Sequence, residues 1–307
     1  MNKIKKGKCL VVIINWQQCQ LTKNLLETAS LMPEFFDILI FDNESTKKSH
    51  DFFVTNNHLF SYYHSSAENL GFDIPCNFGL NLAYQKNYDF IFFLNNDATI
   101  TNNDAVQLLT AVQKNHNIAL ASPLIKEQNS QEISFSGAKF NQNKTIIEHI
   151  ALDEIPNDLN AHQYLLYGTA LLGRVLPLIE AGGFYEPFFA YWEDFLLCDK
   201  LISLGYACSI VKSSSVFHTN DRSNETNTPR SQYYYYYLTR NEIVFWKKVS
   251  SSTSFKPIYW LIRRSASTVF TLIKQSNYSQ SKAIILGLSD GILGHLGKWK
   301  HHLKKNQ

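Results

Sequence analysis

Between residues 9 and 125, short apolar runs alternate with segments of helical period. Leu10–Ile14, Ile38–Phe41, Phe60–Tyr63, Phe90–Leu94 and Ile118–Ser122 each read as a strand. Leu21, Leu25 and Ala29 share one helical face, and Ala105, Leu108, Leu109 and Val112 repeat that spacing after a polar Asn102-Asn103-Asp104 start. Such alternation predicts an α/β fold with a doubly wound, mostly parallel central sheet flanked by helices. In sheets of this kind ligands sit beyond the carboxyl ends of the strands. The positions that follow the strands are Asn15-Trp16, Asp42-Asn43-Glu44-Ser45, Ser66 to Asn69, and Asn95-Asn96-Asp97.

From about residue 130 to 170 the pattern breaks into Ile133–Phe135 and Thr145–Ile150, separated by Gly137 and Asn-rich turns, which predicts an antiparallel excursion. A helix after Arg174, another from Glu193 to Leu204 and a strand over Ala207–Val211 complete the larger unit. The polar stretch Thr219–Ser231 lacks apolar periodicity and is expected to be a loop that closes over bound ligand. Tyr233–Lys248 and Ile258–Lys274 read as helices. The expected division is a catalytic-type domain over 1–250 and a helical C-terminal appendage over 251–307.

Composition narrows the class. With 45% hydrophobic and 18% charged residues, 307 residues bury a large core, which excludes a disordered or fibrous chain. Basic residues number 29 against 26 acidic ones, a formal charge of +3, so nothing demands nucleic acid as a partner. The 21 Phe and 16 Tyr suit either a Phe-rich core or stacking on ring-shaped ligands. Cys9, Cys19, Cys76, Cys198 and Cys208 form no C-x-x-C pair, so neither a disulfide framework nor a zinc site is expected, and a reducing cytoplasm fits. Basic Met1–Lys8 runs into an apolar stretch too short for a signal-peptide core. Phe255–Ile273 carries Arg263 and Arg264 in its middle, which argues against a membrane span. Its Trp260, Leu261, Ile262, Val269 and Phe270, followed by Lys298, Lys300, Lys304 and Lys305, suit a helix lying on an anionic membrane surface or one packed on the core.

Several clusters could carry chemistry. Asn95-Asn96-Asp97 ends a very apolar strand, where one carboxylate with amide neighbours can hold a nucleotide-bound Mg²⁺ or Mn²⁺, or simply cap the next helix. Asp42 could accept the ring N–H of a uracil or thymine base, or form an Asx-turn with Asn43. Between them, Glu68 to Gly79 offers glycines that admit a ligand and the side chains of Asn69 and Asn77; it is not a G-x-G-x-x-G fingerprint, which disfavours a dinucleotide cofactor. Phe188-Phe189-Ala190-Tyr191-Trp192 delivers Glu193 and Asp194 to a helix start. The rings suit the apolar face of a sugar, and a carboxylate beside them can take a proton from a hydroxyl. The helix terminus favours the ionised acid and the aromatic wall opposes it, a balance the sequence leaves open. Glu193 and Asp194 could equally do no more than complement the helix dipole. His218 at a strand end can ligate a metal or be structural, and Arg222, Arg230 and Arg240-Asn241 could neutralise a diphosphate.

In this order and spacing, over about residues 10 to 245, the motifs resemble the inverting family 2 glycosyltransferases of the GT-A fold, particularly the rhamnosyl and galactofuranosyl transferase branch of bacterial surface-polysaccharide assembly. The resemblance implies that Asn15, Asp42, Asn43 and Ser45 form the nucleotide site and that Asn69, Gly71, Phe72 and Asn77 line the nucleotide and donor. It implies that Asn95-Asn96-Asp97 is the metal-binding acidic motif with His218 as a further metal ligand. Gly168 and Thr169 would lie beneath the acceptor, with Tyr191 and Trp192 as a sugar wall. Asp194 would be the catalytic base, with Glu193 in reserve. Asn95 departs from the pattern, since many relatives carry an acid there, and this removes one negative charge from the metal site. The implied reaction takes a UDP- or dTDP-sugar, with Mg²⁺ or Mn²⁺, to a glycan or lipid-linked saccharide acceptor at the inner face of the membrane. The other readings are a nucleotide- or saccharide-binding protein without catalysis, and a nucleotidyltransferase, which Asn15-Trp16-Gln17-Gln18-Cys19-Gln20 disfavours for want of Gly, Arg or Lys.

Overall fold

The computed structural model describes residues 8–29, 36–128, 130, 132–141, 146–218, 230–249 and 256–299. The first half is a run of strand–helix units: β1 (Cys9–Asn15), α1 (Cys19–Ala29), β2 (Phe36–Asp42), α2 (Lys47–Thr55), β3 (Tyr62–Ser65), α3 (Asp73–Gln85) and β4 (Phe90–Asn95). These four strands are parallel in the order β3-β2-β1-β4. β1 and β4 are covered on both faces, which is why they read as unbroken apolar runs with no alternation. α2 opens on a capping box in which Thr46 and Ser49 satisfy each other's backbone N–H.

Next come β5 (Ala98–Ile100), α4 (Asn102–Lys114), β6 (Ile118–Glu127), β7 (Ile133–Phe135), β8 (Ala138–Asn141) and β9 (Ile146–His149). α4 buries Ala105, Leu108, Leu109 and Val112, the stripe its spacing predicts; of the two pieces expected as an antiparallel excursion, β7 pairs with β6 in the main sheet, and β9 forms a separate antiparallel ribbon with β8, a strand the expectation lacks. β10 (Ala170–Arg174), α5 (Val175–Glu180), α6 (Glu193–Ser203) and β11 (Ala207–His218) close the sheet, whose order is β3-β2-β1-β4-β10-β6-β11-β5. The architecture is thus α/β with a mostly parallel central sheet flanked by helices, as expected.

The differences have local causes. β3 starts two residues later than expected, because the Ser61 N–H already bonds Ile38 O and pairing with β2 begins only at Tyr62. β10, which hydropathy does not separate from its glycines, runs antiparallel between β4 and β6. β11 extends past Val211 through an irregularity between Val211 and Ser215 and reaches His218. The expected loop Thr219–Ser231 falls almost wholly outside the described residues, as do Arg222, Lys300, Lys304 and Lys305.

After α7 (Gln232–Val249) and α8 (Lys256–Lys274) comes α9 (Tyr278–Leu293), a helix the sequence reading does not contain. It lies against α7 at its glycines. A Cβ on Gly287 would stand 2.6 Å from Tyr236 O, and one on Gly291 would stand 2.8 Å from Arg240 O. The chain then folds back: Trp299 stacks on Tyr236 at 4.4 Å, and its backbone N–H donates to the Tyr237 hydroxyl at 2.6 Å. Gly291→Val is expected to force α9 off α7 and cost about 1–3 kcal/mol in urea unfolding. An unchanged midpoint would show that the two helices do not need this closeness.

Candidate functional site

At the carboxyl ends of β1, β2 and β4 a chain of polar side chains replaces the apolar core. Asn96 Nδ2 donates to the Thr22 hydroxyl (3.1 Å), which donates to Asn15 Oδ1 (2.8 Å), and Asn15 Nδ2 donates to Asp42 Oδ1 (2.7 Å). Asp42 Oδ2 accepts from Ser49 (2.7 Å) and from the Tyr63 hydroxyl (3.2 Å). Asp42 is only 1% exposed, and both its oxygens are already hydrogen-bonded within the protein. Asn43 braces the neighbouring loop: its Nδ2 donates to Gly71 O (2.8 Å) and Asn69 Oδ1 (3.2 Å), and its Oδ1 accepts from Leu70 N (2.8 Å). Ser45 N donates to Ser66 O at 2.6 Å. Gly71 sits at φ +82°, where a Cβ would fall 2.2 Å from Phe189 O, so only glycine fits.

The register of β5 and β11 explains a second corner. His218 pairs with Ala98, directly after Asp97, which brings His218 Nε2 to 3.2 Å from Asp97 Oδ1. That buried oxygen nevertheless accepts no hydrogen bond: the imidazole is within ion-pair distance without a donor pointed at it. Two ligands of one Mg²⁺-like ion, each about 2.0–2.1 Å from it at right angles, stand roughly 3 Å apart. The pair therefore fits a divalent cation. Among the described residues no third His, Cys, Asp or Glu joins them, so most positions around such an ion would be left to oxygens of water or of a bound ligand.

The third corner begins at α6. Asp194 Oδ2 accepts from Gly168 N (2.8 Å) and its Oδ1 from Phe195 N (2.7 Å), while Asn95 N donates to Thr169 O (3.0 Å). Gly168–Thr169 thus ties the end of β4 to the carboxylate of Asp194. Burial pushes the Asp194 carboxyl up to about 6, against the pull of those backbone N–H groups, which settles the balance the sequence leaves open. Behind it lie two more acids. Asp73 is fully buried with neither oxygen hydrogen-bonded, and Glu193 Oε2 likewise has no partner. Burial holds both well above the usual carboxylate range; the nearby Asp194 and Glu186 push Asp73 further up, and Asp73 and Asp194 do the same to Glu193.

This corner stands on a strained loop. Phe189, Tyr191 and Trp192 all have positive φ (70°, 69° and 75°). Arg240 and Asn241 on α7 hold them there. Arg240 Nη2 donates to Phe188 O (2.6 Å) and Pro187 O (3.3 Å) and its Nη1 to Gly297 O (2.6 Å); Asn241 Nδ2 donates toward Phe188 O, Ala190 O and Tyr191 O at 2.7–3.0 Å. Arg240 is 0% exposed, which corrects the expectation that it neutralises a diphosphate: its Nη donors are spent on backbone carbonyls and its Nε on Asn241 Oδ1 (2.8 Å). Trp192 turns its ring to Phe245 and its indole N–H to Leu238 O, facing α7 rather than an open wall, whereas Tyr191 meets Tyr233 and Tyr234 edge-on. Asn77 bonds Phe184 O, Phe184 N and Glu186, so its amide pins the loop before α6 instead of lining the cleft. Phe72 packs edge-on against Phe184 and its N–H bonds Phe189 O.

Sequence reasoning missed Thr22, Ser49 and Tyr63, which complete the Asp42 network, and Asp73. The Thr46-x-x-Ser49 spacing signals a helix start but not a bond to Asp42. It also passed over the contact of Trp16 Nε1 with Glu44 (2.7 Å) at the rim of the strand ends.

No family model matches the sequence, and no curated protein matches it. Solved structures do. The chain is similar to the mannosyltransferase PcManGT from Pyrobaculum calidifontis in complex with GDP-Man and Mn²⁺, at 12% identity, TM-score 0.59, over 95% of this chain and 89% of that one. It is similar to S. aureus TarS 1-349 in complex with UDP-GlcNAc, at 16% identity, TM-score 0.59, over 93% and 80%. A third match is GalNAc-T7 with UDP, GalNAc and Mn²⁺, at 14% identity, TM-score 0.58, over 78% and 47%. At these identities the likeness establishes the fold, which is GT-A-like.

Two outcomes are expected of the corner itself. Asn241→Ala takes the amide donor from Ala190 O and Tyr191 O in the strained loop and should cost about 1–3 kcal/mol in chemical unfolding; an unaltered midpoint would remove the clamp from the account. Asp73, raised in the folded chain, contributes stability that is fully present below its unfolded value of about 4 and is lost as pH rises through its folded value. Urea midpoints should therefore fall between acid and neutral pH, and fall less in Asp73→Asn; parallel profiles would contradict a raised Asp73.

Proposed function

We propose that this chain is an inverting glycosyltransferase that moves a sugar from a nucleotide diphosphate, of the UDP or dTDP type, to a hydroxyl of a glycan or lipid-linked saccharide. The observation that carries the reading is the placement of Asp194, held by two backbone N–H groups at a helix start and joined through Gly168–Thr169 to the end of β4, just before Asp97, which meets His218 from the end of β11. The GT-A-like fold supports it, as do solved neighbours whose complexes hold GDP-Man or UDP-GlcNAc. The order of motifs favours the rhamnosyl and galactofuranosyl branch and surface-polysaccharide synthesis in the cytoplasm. We read 1–250 as the catalytic unit and 251–307 as its appendage.

In this reading Asp97 and His218 would hold Mg²⁺ or Mn²⁺, which would supply positive charge to offset the charge that develops on the leaving group. The strand-end amides of Asn15, Asn43, Asn69 and Asn96 shape the nucleotide site. The Asp194 carboxylate takes the proton of the acceptor hydroxyl as that oxygen bonds the anomeric carbon. The bond from the carbon to the diphosphate breaks on the opposite face, and the configuration inverts. Glu193, whose carboxyl burial pushes up and whose Oε2 has no hydrogen-bond partner, is the reserve candidate, and Asp194, held by two backbone N–H groups, is the base.

The direct test is mass-spectrometric detection of nucleotide released from UDP-, dTDP- and GDP-sugars with and without Mn²⁺. Metal-stimulated release from one donor, reduced at least tenfold in Asp97→Ala, is expected. Absence of both release and nucleotide binding would overturn the reading, and binding with no turnover in the presence of any acceptor would favour the non-catalytic protein that Asn95 allows. Asp194→Asn should abolish transfer and leave donor binding near the wild-type level. Because the base works ionised, kcat/KM should rise with pH and level off above about 6; wild-type turnover in Asp194→Asn would remove it as the base.

A further inference from the structure

Away from the cleft, the C-terminal helices present an unusual solvent face. α8 buries Pro257, Leu261, Ser265 and Leu272 along one side. On another side Tyr259, Ile262, Ala266, Phe270 and Ile273 follow one another at steps of three and four residues and so form a single stripe. That stripe is open to water: Tyr259 is 56% exposed, Phe270 60%, Ile273 45% and Ile262 41%. Lys256, Arg263 and Lys274 form the adjacent row with Trp260, and the Arg263 guanidinium lies 5.2 Å over the Trp260 ring while the Lys274 ammonium lies 4.4 Å over that of Phe270. α8 contains no Asp or Glu, and Arg264 turns away to Glu242 at 2.5 Å.

α9 repeats the pattern. Tyr278, Ile285 and Ile292 recur every seventh residue, all more than half exposed, on the side opposite the glycines that touch α7, with Lys282 beside them. Its acid, Asp290, is occupied by the Tyr236 hydroxyl (2.6 Å) and His295 (3.2 Å). No helix among the described residues is long and apolar enough to cross a membrane.

We propose that the α8–α9 face docks on an anionic lipid bilayer, with the apolar stripe at the boundary of headgroups and acyl chains and Lys256, Arg263 and Lys274 among the lipid phosphates. Charge selects this occupant. A second copy of the chain would set basic rows against each other with no acid on α8 to receive them, whereas an anionic surface complements every charge on the α8 face. The aromatic residues flanking the stripe suit the polar–apolar boundary. The inference stands independently of glycosyl transfer.

The test is co-sedimentation of the full chain with phosphatidylcholine vesicles that contain or lack phosphatidylglycerol. Partition at least tenfold stronger onto the anionic vesicles is expected, weakening with salt, together with a blue shift of tryptophan emission that Trp260→Phe diminishes. Phe270→Ser with Ile273→Ser should lose at least tenfold in partition while keeping the wild-type urea midpoint. Arg263→Gln with Lys274→Gln should lose about fivefold per charge on anionic vesicles only. Absence of wild-type binding, or equal binding by all variants, would overturn the proposal. So would a dimer in analytical ultracentrifugation that Phe270→Ser with Ile273→Ser dissolves, which would assign the face to a second copy.

Discussion

The segment 187–192 holds three non-glycine residues at positive φ, each costing about 1–3 kcal/mol, and it keeps that shape because donors on α7 are aimed at its carbonyls. Arg240 and Asn241 supply them from positions with no exposure at all. A guanidinium buried that deeply needs its own partners, and one of these is Gly297 O, contributed by the chain after α9. The rings of Tyr236 and Tyr237 lie beside it at 5.4 and 4.7 Å. The corner that presents Asp194 is therefore held by α7 and the returning C-terminal segment, not by the sheet alone. Phe72 N–H on Phe189 O joins the same loop to the start of α3, where Asp73 lies.

Burial then divides the acids between roles. Asp73 and Glu193 lie where water cannot solvate a charge, so their protonated forms are favoured, while Asp194 has two N–H donors and titrates near 6. Of the three, Asp194 is the one held by two backbone N–H groups, which direct its carboxylate toward Gly168. On the other side of Gly168–Thr169 the polar chain from Asn96 to Tyr63 orders the strand ends without exposing Asp42. Side chains that could have been ligands are spent there on rigidity, and Asp97 Oδ1 keeps its bonding capacity.

Residues whose surroundings are local, or covered on both sides, are legible in the sequence. β1 and β4 are unbroken apolar runs, the α4 stripe matches its spacing, and the polar clusters after the strands mark where the sheet ends in water. β10 is hidden because Gly168 and Gly173 read as turn residues, and only neighbours distant in sequence make Gly173 a close-packed strand position. α9 is hidden for a related reason: three glycines within eight residues lower its helical propensity, whereas Gly287 and Gly291 are the surface that meets α7. In the candidate site, the acids at the start of α6 and the amides at the strand ends are visible. The roles of Arg240 and Asn77 are not, because a donor looks the same in sequence whether it faces a diphosphate or a buried carbonyl. The burial of Asp73 depends on the loop at Phe189, more than a hundred residues away in the chain.

The central claim is that a nucleotide diphosphate enters the strand-end cleft with a divalent cation held by Asp97 and His218. Pulsed electron paramagnetic resonance of Mn²⁺ added with UDP to the full chain measures this directly. The account predicts nitrogen modulation from a single imidazole that disappears in His218→Phe, together with phosphorus coupling from the diphosphate. Phosphorus coupling with no nitrogen signal, or a spectrum identical in the variant, would contradict it.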